Sequence, residues 1–233
     1  MTRELVYFAD PMCSWCYGFA PVISAIEQHF RGRLPLRLVM GGLRAGHTQP
    51  MRDKDKDYLR EAWTRVKAAS GQPFDFSFLE RGGFVYDTEP ACRAVVTMRL
   101  RQPSRALAFM ERIQSAFYAE NRDVTSREVL SDLAAEEGED REAFAAALLS
   151  PEARNETFRD FLTAQEFGVE GFPTLIVGSG RQYALVTSGF RPLDGIPEAL
   201  ERWLASQPEA KKRLQSFRAS CPGSQDPHCR ASD

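Results

Sequence analysis

The N-terminal part of the chain combines a short apolar run with apolar positions at helical spacing. Residues 4–9 read ELVYFA, a nearly continuous apolar run that is typical of a buried strand. The next apolar positions predict one face of a helix, formed by Phe19, Val22, Ile23, Ile26 and Phe30. Residues 34–43 predict a second strand that ends at two glycines. The chain therefore opens with the order strand, helix, strand.

A long helical pattern follows over residues 52–166 and predicts four to six helices. One of its apolar faces consists of Ala106, Phe109, Met110, Ile113 and Phe117. Thr125 with Glu128 fits a capping box at the start of one helix. Ser150 fits an N-cap, because Pro151 follows it at the first helical position.

The spacing of apolar residues shortens again near the C-terminal end of the pattern. Residues 173–178 and 182–188 predict two strands, and a helix is predicted over residues 193–205. The complete order is that of an α/β protein with a thioredoxin-like core and a large helical insertion.

This order divides the chain into three parts. We expect residues 1–50 and 167–206 to form the thioredoxin-like domain and residues 51–166 to form a helical insertion domain. Residues 207–233 carry proline, glycine, serine and charge with few apolar positions, so we expect a flexible tail.

The composition and charge of the chain limit which binding partners and which cellular location we expect. Thirty Lys and Arg face 32 Asp and Glu, for a formal net charge of −2, so we expect neither a nucleic acid nor a membrane as partner. The chain has no apolar stretch of about 18 residues and no basic-then-apolar leader pattern, which favours a cytoplasmic location. Its five cysteines are too few for a disulfide scaffold and point to redox chemistry or metal binding.

Cys13 and Cys16 stand three positions apart at the junction between the first strand and the first helix. At this spacing they share a helical face and can bridge. The free amides and partial positive charge of the helix N-terminus stabilise a thiolate at Cys13, which we expect to be the exposed thiol that attacks a disulfide. Cys16, one turn further in, is less accessible and would resolve the mixed disulfide. Half of a zinc site is the alternative for the same motif.

Phe172 and Pro173 form the second candidate element. Pro173 opens a predicted strand, either as an ordinary strand start or as a cis-proline. A cis bond would leave the backbone of Phe172 free to pair with a substrate chain near the cysteines.

The cysteine pair after a first strand, the helical insertion and the sequence GVEGFPT at residues 168–174 together resemble the DsbA-like thioredoxin-fold oxidoreductase family. The segments FADPMCSWCYGF and MGGLRAGHTQPM resemble its cytosolic FrnE-like branch, whose members are often labelled protein-disulfide isomerases. The resemblance implies that Cys13 is the nucleophile, Cys16 the resolving cysteine and Pro173 a cis-proline.

The chain departs from this pattern at two places. Ser14 and Trp15 stand between the cysteines, instead of the Pro-His of the periplasmic oxidants, so strong oxidising power does not carry over. The branch can have a second C-terminal motif with four residues between its cysteines, whereas seven separate Cys221 from Cys229. These two are either an auxiliary redox pair or idle thiols.

Three further side chains are weaker candidates. We expect Trp15 to pack beside the thiols and to contact substrate, together with Phe172 and Pro173. His47 either approaches and tunes the cysteines or is a solvated loop residue. Cys92 has Val95 and Val96 on its helical face and is predicted to be a small buried side chain.

The sequence thus predicts a thiol–disulfide oxidoreductase or disulfide isomerase that acts on thiol or disulfide substrates, either proteins or small molecules. No cofactor is expected beyond the redox-active disulfide, with glutathione as a candidate co-substrate, and no metal. Two alternatives stay open. One is a glutathione-dependent enzyme like the kappa-class transferases, which usually lack the second thiol. The other is a non-catalytic zinc site of Cys13, Cys16, Cys221 and Cys229.

Overall fold

A computed structural model describes residues 3–180 and 182–207 of the 233-residue chain. The described part contains four strands and eight α-helices. In chain order they are β1 (Arg3–Ala9), α1 (Ser14–Phe30), β2 (Leu36–Met40), α2 (Asp53–Ser70), α3 (Glu89–Arg101), α4 (Ala106–Tyr118), α5 (Arg127–Glu136), α6 (Arg141–Leu148), α7 (Pro151–Glu166), β3 (Thr174–Ser179), β4 (Gln182–Ser188) and α8 (Ile196–Ser206). Short 3₁₀ helices span Phe76–Glu80 and Pro103–Arg105. The predicted α/β fold with a helical insertion is confirmed.

The four strands form one mixed sheet in the order β2-β1-β3-β4. β1 and β2 run parallel, whereas β3 is antiparallel to both β1 and β4. The register pairs Phe8 with Thr174 and Ala9 with Met40. The ends of β1 and β2 and the beginning of β3 therefore meet at the same edge of the sheet.

Both faces of β1 are covered, which explains its nearly continuous apolar sequence. Val6 and Phe8 pack with Val39 of β2, Ile176 of β3 and Ala164 of α7. On the other face the ring of Tyr7 lies 5.9 Å from that of Phe19 in α1.

An aromatic cluster fixes α2 beside α1. Trp63 of α2 packs edge-on against Tyr118 of α4, with 5.1 Å between ring centroids. Tyr17 of α1 stacks on Tyr118 at 4.9 Å. Gly18 permits the close approach of the two helices, because an added Cβ there would lie 2.8 Å from a methyl group of Val66. α2 consequently stands next to the N-terminal half of α1.

The second predicted strand and the last predicted helix are shorter in the structure than the sequence suggested. The second strand covers Leu36–Met40 instead of 34–43, because Pro35 has no amide to pair and Gly42 turns the chain at φ +64°. The last helix begins at Ile196 instead of 193, because Gly195 before it has a left-handed backbone with φ +79°.

One predicted cap is wrong and another is confirmed. The N-cap of α5 is Ser126, whose hydroxyl accepts a hydrogen bond from Val129 N, so Thr125 and Glu128 form no capping box. Thr125 binds the Asp123 carboxylate instead. Ser150 caps α7 as predicted and accepts from Ala153 N. The insertion contains six α-helices, within the predicted range.

Residues 3–194 lie within one compact unit, and α8 belongs to a second. The domain boundaries inferred from the sequence remain a prediction. Cys221 and Cys229 lie outside the described residues. No helix within the described ranges is both long and apolar enough to cross a membrane.

Candidate functional site

Cys13 is the N-cap residue of α1 and Cys16 lies in its first turn. The turn before the helix is closed by Cys13 N, which donates to the Asp10 carbonyl at 3.0 Å. No acidic residue lies in the first turn of α1, so the positive end of the helix dipole acts on the two sulfurs.

The two thiols differ in burial. The structure holds both as free thiols, with Cys16 fully buried and Cys13 6% exposed. Cys13 is therefore the more accessible of the two, but the expectation of an openly exposed thiol is wrong, since the cavity walls cover it. Burial, followed by the hydrogen bond with Cys13, raises the pKa of the Cys16 thiol well above its usual range.

Phe172, the residue before Pro173, lies directly beside Cys13. The Phe172–Pro173 peptide bond is cis. The Cys13 thiol donates a hydrogen bond to the Phe172 carbonyl at 3.5 Å. The Phe172 ring covers Gly41 so closely that an added Cβ there would lie 2.0 Å from the ring, which explains the glycine at the end of β2.

Trp15 forms part of the site's wall. Its half-buried ring packs against Phe190, with 5.6 Å between centroids. The sequence prediction that Trp15 lies beside the thiols agrees with this placement.

A cavity of about 600 Å³ opens next to the Cys13 thiol. Its walls come from the beginning of α1, the loop after β2, one face of α2 and the segment before β3. It is lined by residues 12–15, Leu43, Arg44, Lys54, Asp55, Tyr58, Leu59, Ala62, Arg65, Tyr86, Gly171 and Phe172. A cavity of this volume suits a small organic molecule.

Asp10 is a site residue that the sequence analysis missed. Its side chain is fully buried behind the cysteine turn. One carboxylate oxygen accepts from Met12 N at 2.8 Å and the other from Leu43 N at 2.7 Å. Burial raises the pKa of this carboxyl, and these hydrogen bonds oppose the rise. The signal in the sequence was an acidic residue at the end of an apolar strand.

Cys92 of α3 is fully buried, as predicted. Its thiol donates to the second oxygen of Asp10 at 3.4 Å. Burial, and next the negative charge of Asp10, raise the pKa of Cys92 well above its usual range. We therefore regard it as a donor to Asp10.

Tyr86 was also missed by the sequence analysis. Its hydroxyl donates to the Met12 carbonyl at 2.6 Å and thereby holds the peptide before Cys13. Burial raises the pKa of Tyr86, so it remains a hydrogen-bond donor.

The structure does not bring His47 into the cavity. His47 lies in the turn after β2, where its amide donates to the Arg44 carbonyl at 3.1 Å. The neighbouring Arg44 lines the cavity instead.

No group of three or more metal-binding side chains occurs in the part of the chain that is described. The zinc alternative depends on Cys221 and Cys229, which lie outside that part.

Residues 4–201 match the family model of the DSBA-like thioredoxin domain. The chain belongs to this family. One similar structure is that of a Nitrosomonas europaea protein described as a proposed protein disulfide isomerase. The two chains are 37% identical, and the superposition covers 89% of this chain and 100% of the other with a TM-score of 0.83.

A second similar member of the DSBA-like fold is the cytosolic disulfide reductase DsbM from Pseudomonas aeruginosa. It is 29% identical, with coverage of 88% of this chain and 100% of its own and a TM-score of 0.74. The same protein with glutathione (GSH) superposes with a TM-score of 0.70, at 31% identity over 87% of this chain and 99% of its own.

Curated relatives of this DSBA-like chain carry a different name. The ClpXP adapter protein SpxH from Shouchella clausii is 22% identical over 92% of this chain and 73% of its own length. The Bacillus subtilis protein of that name is 25% identical, and the match spans 57% of its length.

Proposed function

We propose that this protein is a thiol–disulfide oxidoreductase that exchanges disulfides through Cys13 and Cys16. The observation that carries the proposal is the asymmetry of the pair. Cys13 lies at the helix N-terminus and at the cavity, whereas Cys16 is sealed behind it. One thiol is placed to attack a substrate, and the other can reach only the first.

The exchange has two balanced steps. The Cys13 thiolate attacks a substrate disulfide, a mixed disulfide forms, and one substrate thiol leaves. Cys16 then gives up its proton and attacks the Cys13 sulfur, so that the second substrate thiol leaves. Two electrons pass to the substrate and the pair becomes a disulfide. The reverse sequence oxidises a substrate dithiol, and isomerisation uses the first step without net oxidation.

We further propose that Trp15, Phe172 and Pro173 contact the substrate. Trp15 and Phe172 line the cavity with Cys13, Pro173 follows Phe172, and the Phe172 carbonyl lies 3.5 Å from the Cys13 sulfur. A substrate backbone held there would bring its sulfur close to Cys13.

Glutathione is the co-substrate we propose for regenerating the pair. Support comes from the cavity, whose volume suits a molecule of that size, and from the glutathione complex of DsbM. The cytosolic location in the name of DsbM supports the predicted cytoplasmic location.

The name SpxH raises a second candidate, an adapter that binds another protein without exchanging disulfides. Such a role would not require either thiol, so cysteine variants separate it from the oxidoreductase.

The test uses Cys16→Ser, Cys13→Ser and the control Cys92→Ser, which keeps a donor for Asp10, each incubated with hydroxyethyl disulfide. Cys16→Ser should accumulate a mixed disulfide at Cys13, because the second step is blocked. Cys13→Ser should lose at least about 99% of the exchange rate, since Cys16 is fully buried. Mass spectrometry measures both, and Cys92→Ser should behave like the original protein. Similar residual activity in the two active-site variants would contradict the proposal.

A further inference from the structure

The cavity beside Cys13 is lined by more positive than negative side chains. Arg44, Lys54 and Arg65 line it, and within the described ranges none of the three forms an ion pair. The single acidic residue of the lining, Asp55, is engaged by the Arg52 guanidinium at 3.0 Å. Unpaired cations around a concave surface focus a positive potential into it.

Arg44 is held in place by buried groups. Its amide donates to the Thr88 hydroxyl at 3.1 Å, and Thr88 is fully buried. Its guanidinium lies 5.4 Å from the centre of the Tyr86 ring, a cation–π distance. The preceding residue, Leu43, is fixed through its amide by Asp10. Arg44 is therefore positioned, unlike a typical solvated surface arginine.

The other two cations come from a single helical face. Lys54, Tyr58, Ala62 and Arg65 of α2 all line the cavity and recur at helical spacing. The two charges thus stand at opposite ends of a wall whose middle is the exposed ring of Tyr58. Lys56 of the same helix does not belong to the lining.

We propose that this cavity is a carboxylate-binding site, so that the preferred substrates are small disulfides or thiols that carry carboxylates a few bonds from the sulfur. Arg44, Lys54 and Arg65 bind the carboxylates while the sulfur reaches Cys13. The inference rests on the proposed exchange at Cys13 and adds a charge requirement for its substrate. The cavity volume of about 600 Å³ fits a small molecule.

The experiment compares three small disulfides of different charge: dithiodipropionate, hydroxyethyl disulfide and cystamine. Each oxidises the reduced pair, which yields the Cys13–Cys16 disulfide and two small thiols. Every rate constant is divided by that of the same disulfide with free dithiothreitol, which removes intrinsic reactivity. At low ionic strength the anionic disulfide should react about tenfold faster than the neutral one, and the cationic disulfide should be the slowest. Added salt should remove the preference.

Charge variants locate the effect. Arg44→Gln, Arg65→Gln and the combination with Lys54→Gln should lower stepwise the ratio of the dithiodipropionate rate to the hydroxyethyl disulfide rate. Lys56→Gln loses the same charge from α2 outside the cavity and should keep the preference. Arg65 is an exposed helix position, so Arg65→Gln gives the test even if Arg44→Gln does not fold.

The experiment distinguishes failure of the carboxylate site from failure of disulfide exchange at Cys13. Equal normalised rates for the three disulfides, or an equal loss in Lys56→Gln and Arg65→Gln, would overturn the carboxylate site while exchange stands. If none of the three disulfides oxidises the pair, the proposed function and the inference fall together.

Discussion

Asp10 is a buried carboxylate that holds two loops of the site at once. Through Met12 it fixes the turn before Cys13, and through Leu43 it fixes the loop that carries Arg44. A buried acid is costly unless hydrogen bonds satisfy it, and here backbone amides and the Cys92 thiol do so. Asp10 thus links the position of Cys13 to that of the cavity wall.

This burial predicts how the stability of the protein changes with pH. The raised pKa means that the folded state binds a proton at Asp10 more readily than the unfolded state, whose carboxyl titrates near about 3.9. As pH rises from about 4 towards the folded pKa, the original protein should lose unfolding free energy relative to Asp10→Asn, which does not titrate. Urea unfolding of both proteins between about pH 4 and pH 7 measures the difference.

Asp75 provides a control, because its pKa is shifted in the opposite direction. Hydrogen bonds from Ser77 lower the pKa of Asp75, so its contribution to stability is lost as pH falls. The difference between the original protein and Asp75→Asn should therefore grow as pH rises. If the unfolding free energy of the original protein, relative to Asp10→Asn, also increased with pH, the raised pKa assigned to Asp10 would be contradicted.

The sequence revealed some of these residues and concealed others. Cys13 and Cys16 could be predicted, because their spacing at a strand–helix junction has few chemical explanations. Asp10 and Tyr86 could not, because their roles depend on contacts with Leu43 and Met12 that only the folded chain creates. The resemblance to a family supplied the cis bond at Pro173, which local sequence leaves open.

The outer edge of β2 is closed by an ion pair from two helices. Arg99 of α3 donates to the Leu38 carbonyl at 2.6 Å, and Asp160 of α7 accepts from Met40 N at 2.9 Å. The two side chains also bind each other through two hydrogen bonds of 2.8 and 3.0 Å. Together they occupy the hydrogen-bonding groups that a further strand would use.

Breaking this pair should destabilise the protein markedly. Asp160→Asn would leave the partly buried Arg99 without its countercharge, and we expect a loss of about 3 kcal/mol in unfolding free energy. Chemical denaturation measures it. The control Asp132→Asn breaks the exposed pair with Arg141 and should have a much smaller effect. Equal effects of the two substitutions would show that the edge contact adds no special stability.

Periodicity predicted the type of nearly every element, but not this contact between elements. Strands β3 and β4 agree with the prediction to within one residue, because a short apolar run that ends at a turn is typical of a strand. The Arg99–Asp160 pair spans 61 positions, and nothing in the local sequence distinguishes these residues from solvated helix charges.

On the scale of the whole molecule, the insertion builds half of the site. The α2 wall of the cavity is part of the helical block, whereas Cys13 and Phe172 belong to the strands and loops of the core. The sequence could indicate that an insertion exists, but the aromatic cluster of Trp63, Tyr118 and Tyr17 that sets its position against α1 escaped notice.

The C-terminal cysteines give a prediction at this scale. We expect the double variant Cys221→Ser/Cys229→Ser to reduce hydroxyethyl disulfide at the rate of the original protein, within about twofold, because both steps of the proposed exchange use only Cys13 and Cys16. Steady-state turnover with glutathione as reductant measures this. A loss of turnover while the alkylation rate of Cys13 stays normal would instead support an auxiliary redox pair.

The contact between Cys13 and the Phe172 carbonyl joins residues that are 159 positions apart in the sequence. This separation along the chain has a consequence during synthesis. The ribosome produces both thiols early, whereas the strand that follows Phe172 is translated only after the entire helical block. β3 must then emerge and pair with β1 before the wall beside Cys13 exists. A nascent chain that ends before β3 therefore carries the two cysteines without that wall.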